Sequence, residues 1–268
     1  MKRKKFWIGF GIVCTCIIAV LVVFSLVFRL RTVDVEIRTR TQQAQTKLPD
    51  GVREKVIESG NFEYGRNLIF YNTDANVAKI EKATPYVKVE QVIRFFPNIL
   101  RVYISERTMC YRVQDRLNPS NWYILDRDFK VLEIVNSTQI TESSDYFNKT
   151  FAVSADTMTL SAEAGDFVDS KSIQGYLNSI ADGVYARTRD IGKISTVSLS
   201  EKDGELNAEI TMKGRGIKII AVGADDLAEK VRRAATLVYN EDMVEDPENT
   251  IFTVYKDYDG EIVVLKQK

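Results

Sequence analysis

The chain contains no histidine. That absence removes the commonest general base, the Ser-His and Cys-His nucleophile arrangements and the usual zinc sites. Catalysis would fall to carboxylates or a Ser-Lys pair, and spacing alone singles out no pair among 37 acidic residues. Cysteine is almost as scarce, with three in 268 residues. Cys14 and Cys16 lie within an apolar run, where they act as small apolar residues. Cys110 is alone in the remainder, so neither a disulfide nor a metal framework is expected. A surplus of either charge is also missing, since 37 basic residues balance 37 acidic ones. Without the four positives of the amino-terminal tail the count is 33 against 37, leaving a body at −4. A nucleic-acid binder would show clustered lysine and arginine, so no nucleic-acid partner is expected. Phosphate loops are lacking too. KGRGIKIIAVG fits neither G-x-G-x-x-G nor G-x-x-x-x-G-K-[ST] and reads as a hairpin turn. Asp126 and Asp128 do not open a calcium loop, because the places that need Gly and Glu hold Val131 and Ser137. The expected cofactor list is therefore empty.

What is present is one uninterrupted apolar run, FWIGFGIVCTCIIAVLVVFSLVF, from Phe6 to Phe28, preceded by MKRKK. A run of this length crosses a hydrocarbon core of about 30 Å as one helix. A cleaved signal peptide has a shorter apolar region and a small-residue cleavage site, and Phe28-Arg29-Leu30-Arg31 offers none. Lys2, Arg3, Lys4 and Lys5 place the amino end in the cytoplasm, against the more dispersed Arg29, Arg31, Arg38 and Arg40 beyond the span. The expectation is a single-pass anchor with an extracytoplasmic body of one large or two modest domains, which is folded material by its 45% hydrophobic content.

Along the body, TVDVEIRT alternates Val33, Val35 and Ile37 as a half-buried strand does. After the polar loop RTQQAQTK comes a short helix capped by Asp50, with Val52 and Val56 on one face and a stop at Gly60. NLIFY is an apolar link. A second helix, capped by Asn72 or Asp74, turns Val77 and Ile80 inward and ends before Pro85. A hairpin follows, with Val87, Val89, Ile93 and Phe95 facing Leu100, Val102 and Ile104 across a Pro97-Asn98 turn. Strand-helix-helix-strand-strand order predicts a small α+β unit with both helices on one face of a three-stranded sheet.

Further on, strands are expected around Cys110–Val113, Trp122–Leu125 and KVLEIV. Residues 136–169 read as polar and irregular. A helix from Asp169 carries Ile173, Leu177, Ile180 and Val184 at helical spacing. TVSLS, ELNAEITM and IKIIAVG read as strands. A last helix opens at Asp225 and Asp226, with Leu227, Val231, Ala234 and Val238 inward and Glu229, Lys230, Arg232 and Arg233 facing away. IFTVY and EIVVL close the chain as a hairpin through Tyr258-Asp259-Gly260.

This arrangement resembles the FtsQ/DivIB family of bacterial division proteins. The matching segments are T-P-Y-V-K with Pro85 and Val87, R-F-F-P with Pro97, and L-R-V-Y-I-S-E-R ending in Glu106-Arg107. W-Y-I-L-D ending in Asp126 and V-G-A-D-D-L-A-E-K with Gly223 and Lys230 complete the series. The chain departs from the family pattern at Arg38-Thr39-Arg40, at Met109 and at Phe129, where Gly-Asn, proline and glycine are usual. The resemblance implies a cytoplasmic tail at 1–5, a span at 6–28, a POTRA-like domain at 29–106 and a β-rich domain at 107–268.

By the same resemblance the protein is a non-enzymatic scaffold of the divisome in the cell membrane at the septum. Its expected partners are division proteins of the FtsB/DivIC and FtsL type and, through them, the septal cell-wall synthase. The rival reading is a membrane-anchored peptidoglycan enzyme with a carboxylate pair in a deep cleft. If EIVVL lies at a sheet edge, its free backbone groups can accept a partner strand, and if it is an interior strand they cannot. Tyr258, Gly260, Ile262 and Val264 are the expected contact residues, and the resemblance implies docking in the same C-terminal region.

Overall fold

The computed structural model describes residues 2–38, 47–155, 160, 162–202, 204–240, 244, 246 to 267. Most of the RTQQAQTK loop and part of the acidic loop at 240–249 lie outside these residues. The chain divides into two compact units, Met1–Arg107 and Thr108–Lys268.

The first unit opens with α1 (Lys2–Val27). Its Phe10–Val27 window has a mean hydropathy of 2.9, and none of it is buried by the rest of the protein. An apolar helix that hides no face in its own fold is consistent with a single membrane anchor or a signal sequence.

A three-stranded sheet follows, made of β1 (Thr32–Ile37), β2 (Val87–Phe95) and β3 (Ile99–Glu106), with order β1-β3-β2. β3 runs parallel to β1 and antiparallel to β2. The parallel pair needs a crossover, and α2 (Val52–Gly60), a single 3-10 turn at Leu68–Phe70 and α3 (Asp74–Ala83) supply it. Val52, Val56, Leu68 and Ile80 pack on Val33, Val35, Val87, Leu100, Val102 and Ile104 as one core.

The first unit departs from expectation in three places. The residue before α2 is Gly51 in a left-handed conformation, not Asp50, and the helix is followed by left-handed Asn61. Thr73 precedes α3 without a side-chain cap, while Asn72 accepts the Asp74 N–H at 2.9 Å. The third departure concerns β2. A bulge between Val89 and Gln91 shifts the register, so Val89 and Val92 pack on the core while Phe95 stays 39% exposed. One inserted residue exchanges the faces of a strand, which is why the Ile93/Phe95 alternation misled.

The second unit holds one sheet of nine strands. They are β4 (Tyr111–Gln114), β5 (Asn121–Leu125), β6 (Val131–Asn136), β7 (Phe151–Ala155), β8 (Ile194–Lys202), β9 (Glu205–Met212), β10 (Lys218–Val222), β11 (Ile251–Lys256) and β12 (Ile262–Gln267). Their spatial order is β12-β11-β10-β9-β8-β7-β4-β5-β6. A short α4 (Asp145–Asn148) precedes β7. The two long helices, α5 (Lys171–Thr188) and α6 (Leu227–Val238), connect parallel pairs β7/β8 and β10/β11. Both pack on one core with the inward residues of the sheet. They approach closely at Gly183, where a Cβ would stand 2.5 Å from the Ala228 carbonyl oxygen.

Here the expectation of an irregular 136–169 segment fails. It contains a capped 3-10 turn at Ser137–Gln139, α4 and β7. β7 is interior, parallel to both β4 and β8, with Phe151, Val153 and Ala155 buried. Its small Ala and Ser residues hide a five-residue strand inside polar surroundings, and only the neighbouring strands make it a strand.

Candidate functional site

The C-terminal hairpin forms one margin of the large sheet. β11 and β12 pair antiparallel from Ile251↔Gln267 to Lys256↔Ile262. The turn is closed by Asp257, whose N–H donates to the Glu261 carbonyl at 3.0 Å. The Asp257 carboxylate accepts from the N–H groups of Asp259 at 3.1 Å and Glu261 at 2.8 Å. Gly260 has φ 81, a conformation open to glycine without strain. Tyr258 projects from this turn wholly into solvent.

Bonded and non-bonded pairs alternate along an antiparallel ladder. Counting from the Asp257/Glu261 bond, Val263 and Leu265 face β11 with their backbone groups, while Ile262, Val264 and Lys266 direct theirs to the open side. An independent contact agrees: the Ile262 carbonyl accepts from Arg233 of α6 at 3.1 Å. Among the described residues no strand lies beyond β12.

The four expected contact residues therefore fall on one hairpin but divide by role. Tyr258 and Gly260 form its tip. Ile262 and Val264 lie on the edge strand, half-buried, with side chains packed against the core, so they offer mainly backbone. The opposite face carries what the sequence reading omitted. Tyr255 stands across from Val263, Thr253 from Leu265 and from Ile220, and all stay half-buried or exposed. The alternation of IFTVY and EIVVL contains this face, but it does not show which face the helices cover.

The turn end of the hairpin is braced electrostatically. Lys256 lies 3.1 Å from one Asp225 oxygen and 2.6 Å from an Asp226 oxygen. Lys230, on α6, lies 3.0 Å from the other Asp225 oxygen. It also donates to the carbonyls of Val222 at 2.7 Å and Gly223 at 3.3 Å. The expectation that Lys230 faces away with Glu229, Arg232 and Arg233 is thus corrected: Lys230 is 1% exposed. Its helical position lies one residue before Val231, close enough to the inward stripe for a long stem to reach the strand carbonyls. Hydrogen bonding from Lys230 and Lys256 holds the Asp225 carboxyl below its ordinary value. Arg232 and Arg233 likewise bring Glu229 down to about 2. Gly223 has φ 79, and a Cβ there would come 2.9 Å from Asp225 and 3.1 Å from the Lys230 nitrogen.

Other residues singled out in the sequence serve as joints of the fold. Arg107 is buried and joins Glu81 of α3 at 3.0 Å to the Val87 carbonyl of β2 at 3.3 Å. Buried Asp126 accepts the N–H groups of Asp128 at 2.9 Å and Lys130 at 2.8 Å, which makes the segment a polar turn. Phe129 occupies the left-handed region with φ 61 and is fully buried. Cys110 is buried, and desolvation pushes its thiol up to about 11. No group of three or more metal-ligating side chains occurs among the described residues.

A cavity of about 780 Å³ opens between α5, the β8–β9 turn and the β10–α6 loop, with Glu201, Glu205 and Asp225 among its lining residues. Asp225 is engaged there by two lysines, which favours its charged form and opposes use as a general acid. In comparison with known proteins, the chain matches no protein-family model and no curated protein.

Proposed function

We propose that this protein is a bitopic scaffold of the bacterial divisome, of FtsQ/DivIB type. Its small unit is the POTRA-like domain and its edge strand β12 is the docking place. The observation that carries this reading is the open edge of β12. The backbone groups of Val264 and Lys266 point outward beside the half-exposed face of Tyr255, Val263 and Leu265. Such an edge takes an added strand, with main-chain bonds giving affinity and alternate side chains giving selectivity. The partners are membrane division proteins of the FtsB/DivIC and FtsL type and, through them, the septal cell-wall synthase. The amino end is cytoplasmic, the body lies outside the cell membrane, and residues 6–28 lie in the bilayer.

Co-purification from native membranes tests the reading. Deleting the residues after Gly260 should abolish recovery of these partners while the first unit stays folded. Undiminished recovery would move the docking surface elsewhere. Muropeptide turnover by the purified body would replace the scaffold with the envelope-enzyme reading.

A further inference from the structure

The first unit displays, beside the end of α1, aromatic surface that its own core does not use. Phe70 is 86% exposed, Phe96 57% and Tyr64 54%. These residues belong to two segments, and both are bound to the residues that leave the helix. The Phe28 carbonyl accepts from the Leu68 N–H at 2.6 Å, and the Leu30 carbonyl from the Gly65 N–H at 2.8 Å. Arg29 forms a β-bridge with Asn67. The N–H groups of Arg31 and Thr32 donate to the Asn98 carbonyl at 2.9 and 3.3 Å, which places the β2–β3 tip alongside. Arg94 joins the two segments by donating to the Tyr71 carbonyl at 2.7 Å.

Ring contacts extend the patch into the helix. Phe28 packs on Phe24 of α1 with centroids 4.6 Å apart and edge-on against Phe96 at 5.5 Å. Around the rings stand Arg29, Arg31, Arg66 and Arg94, all exposed, of which Arg66 is paired with Glu63 at 2.7 Å. Aromatic rings with arginines at the end of an apolar helix match the headgroup level of a bilayer. There an arginine stem lies along apolar surface and its guanidinium stays among polar groups.

We propose that Phe70, Phe96 and Tyr64 seat the first unit on the phospholipid surface that α1 crosses. The occupant is lipid because of reach. Only Phe28, Arg29, Leu30 and Arg31 separate α1 from β1, a span of at most about 14 Å if fully extended. Their backbone bonds to both aromatic segments leave no slack for the patch to retreat into water. The inference rests on the reading of α1 as a retained membrane span, and it makes the small unit a fixed platform on the bilayer.

The test uses the full chain with Cys14, Cys16 and Cys110 replaced by alanine, in vesicles of phosphatidylethanolamine and phosphatidylglycerol. Single cysteines at Phe70→Cys, Phe96→Cys, Ile18→Cys and Leu117→Cys carry a nitroxide, and collision with oxygen is compared with collision with a nickel chelate. Labels at 70 and 96 should favour oxygen, as at 18, with a ratio several-fold above that at 117. Labels at 70 and 96 that behave as at 117, with 18 still in lipid, would overturn the proposal and leave the anchor standing. Shielding of 70 and 96 from both reagents would also overturn it, in favour of a protein cover. A water-exposed label at 18 would remove the anchor reading itself.

Discussion

The Lys230 ammonium meets the Asp225 carboxylate at 3.0 Å, with the lysine side chain 1% exposed and the aspartate side chain 56% exposed. The pair is therefore asymmetric: water can still solvate Asp225, whereas Lys230 depends on it and on the Val222 and Gly223 carbonyls. The Lys230 bond to the Val222 carbonyl fastens the first turn of α6 to the end of β10. Lys256 on the opposite side of Asp225 ties in β11.

Replacing Lys230 should consequently cost more than a surface lysine would. Lys230→Ala takes the donor from two half-buried carbonyls and empties the space of a buried stem, and is expected to lose about 2–4 kcal/mol. Lys230→Met keeps the buried stem and should lose less. Urea unfolding measures both, and a loss as small as that of Lys171→Ala would show the clamp to be unimportant.

The edge strand allows a sharper comparison. The Val264 N–H faces the open side and the Val263 N–H faces β11, so proline affects them differently. Val264→Pro should leave the thermal midpoint close to the wild type yet block strand addition. Val263→Pro removes a ladder bond and should lower stability by about 1–3 kcal/mol. Equal partner recovery with Val264→Pro and the wild type would rule out β-augmentation at this edge.

Phe129 holds a left-handed backbone while its ring packs edge-on against Tyr111 at 5.5 Å. Removing the ring as Phe129→Ala should cost about 3–5 kcal/mol. Phe129→Gly loses the same ring but relieves the backbone, so it should be the more stable of the two by about 1 kcal/mol. The usual order, alanine above glycine, would show that φ at this position imposes no cost.

Glu229 titrates at about 2 in the folded protein against an ordinary 4.5, because Arg232 and Arg233 bond its charged form. A depressed folded value means that the unfolded chain binds the proton more readily. The contribution is complete above the ordinary value and is lost as pH falls toward about 2. It is small, since all three side chains are exposed. Glu229→Gln should flatten the acid limb of the urea midpoint only within that window.

Much of the architecture was legible in the residues. Ile173, Leu177, Ile180 and Val184 marked the inward face of α5, and Leu227, Val231, Ala234 and Val238 that of α6. The β2–β3 and β11–β12 hairpins were announced by alternation with turn residues between. The candidate site was legible as a hairpin, through Tyr258, Gly260, Ile262 and Val264, but not as a surface. Its exposed face, with Val263, Leu265 and Tyr255, depends on where α6 packs.

The sequence by itself determined those features whose causes are local: the apolar length of α1, the stripes of the helices, the turns at Pro97 and Gly260, the order of the elements. Periodicity and turn chemistry act over neighbouring residues, so a single strip of chain states them. Tertiary structure settled that the bulge turns Val92 inward, that β7 lies inside the sheet, that Lys230 points to the core and that β12 ends the row. Each of these depends on partners far away in the chain. A strand is interior or marginal, and a lysine is buried or solvated, only by virtue of what other segments supply as hydrogen bonds and contacts.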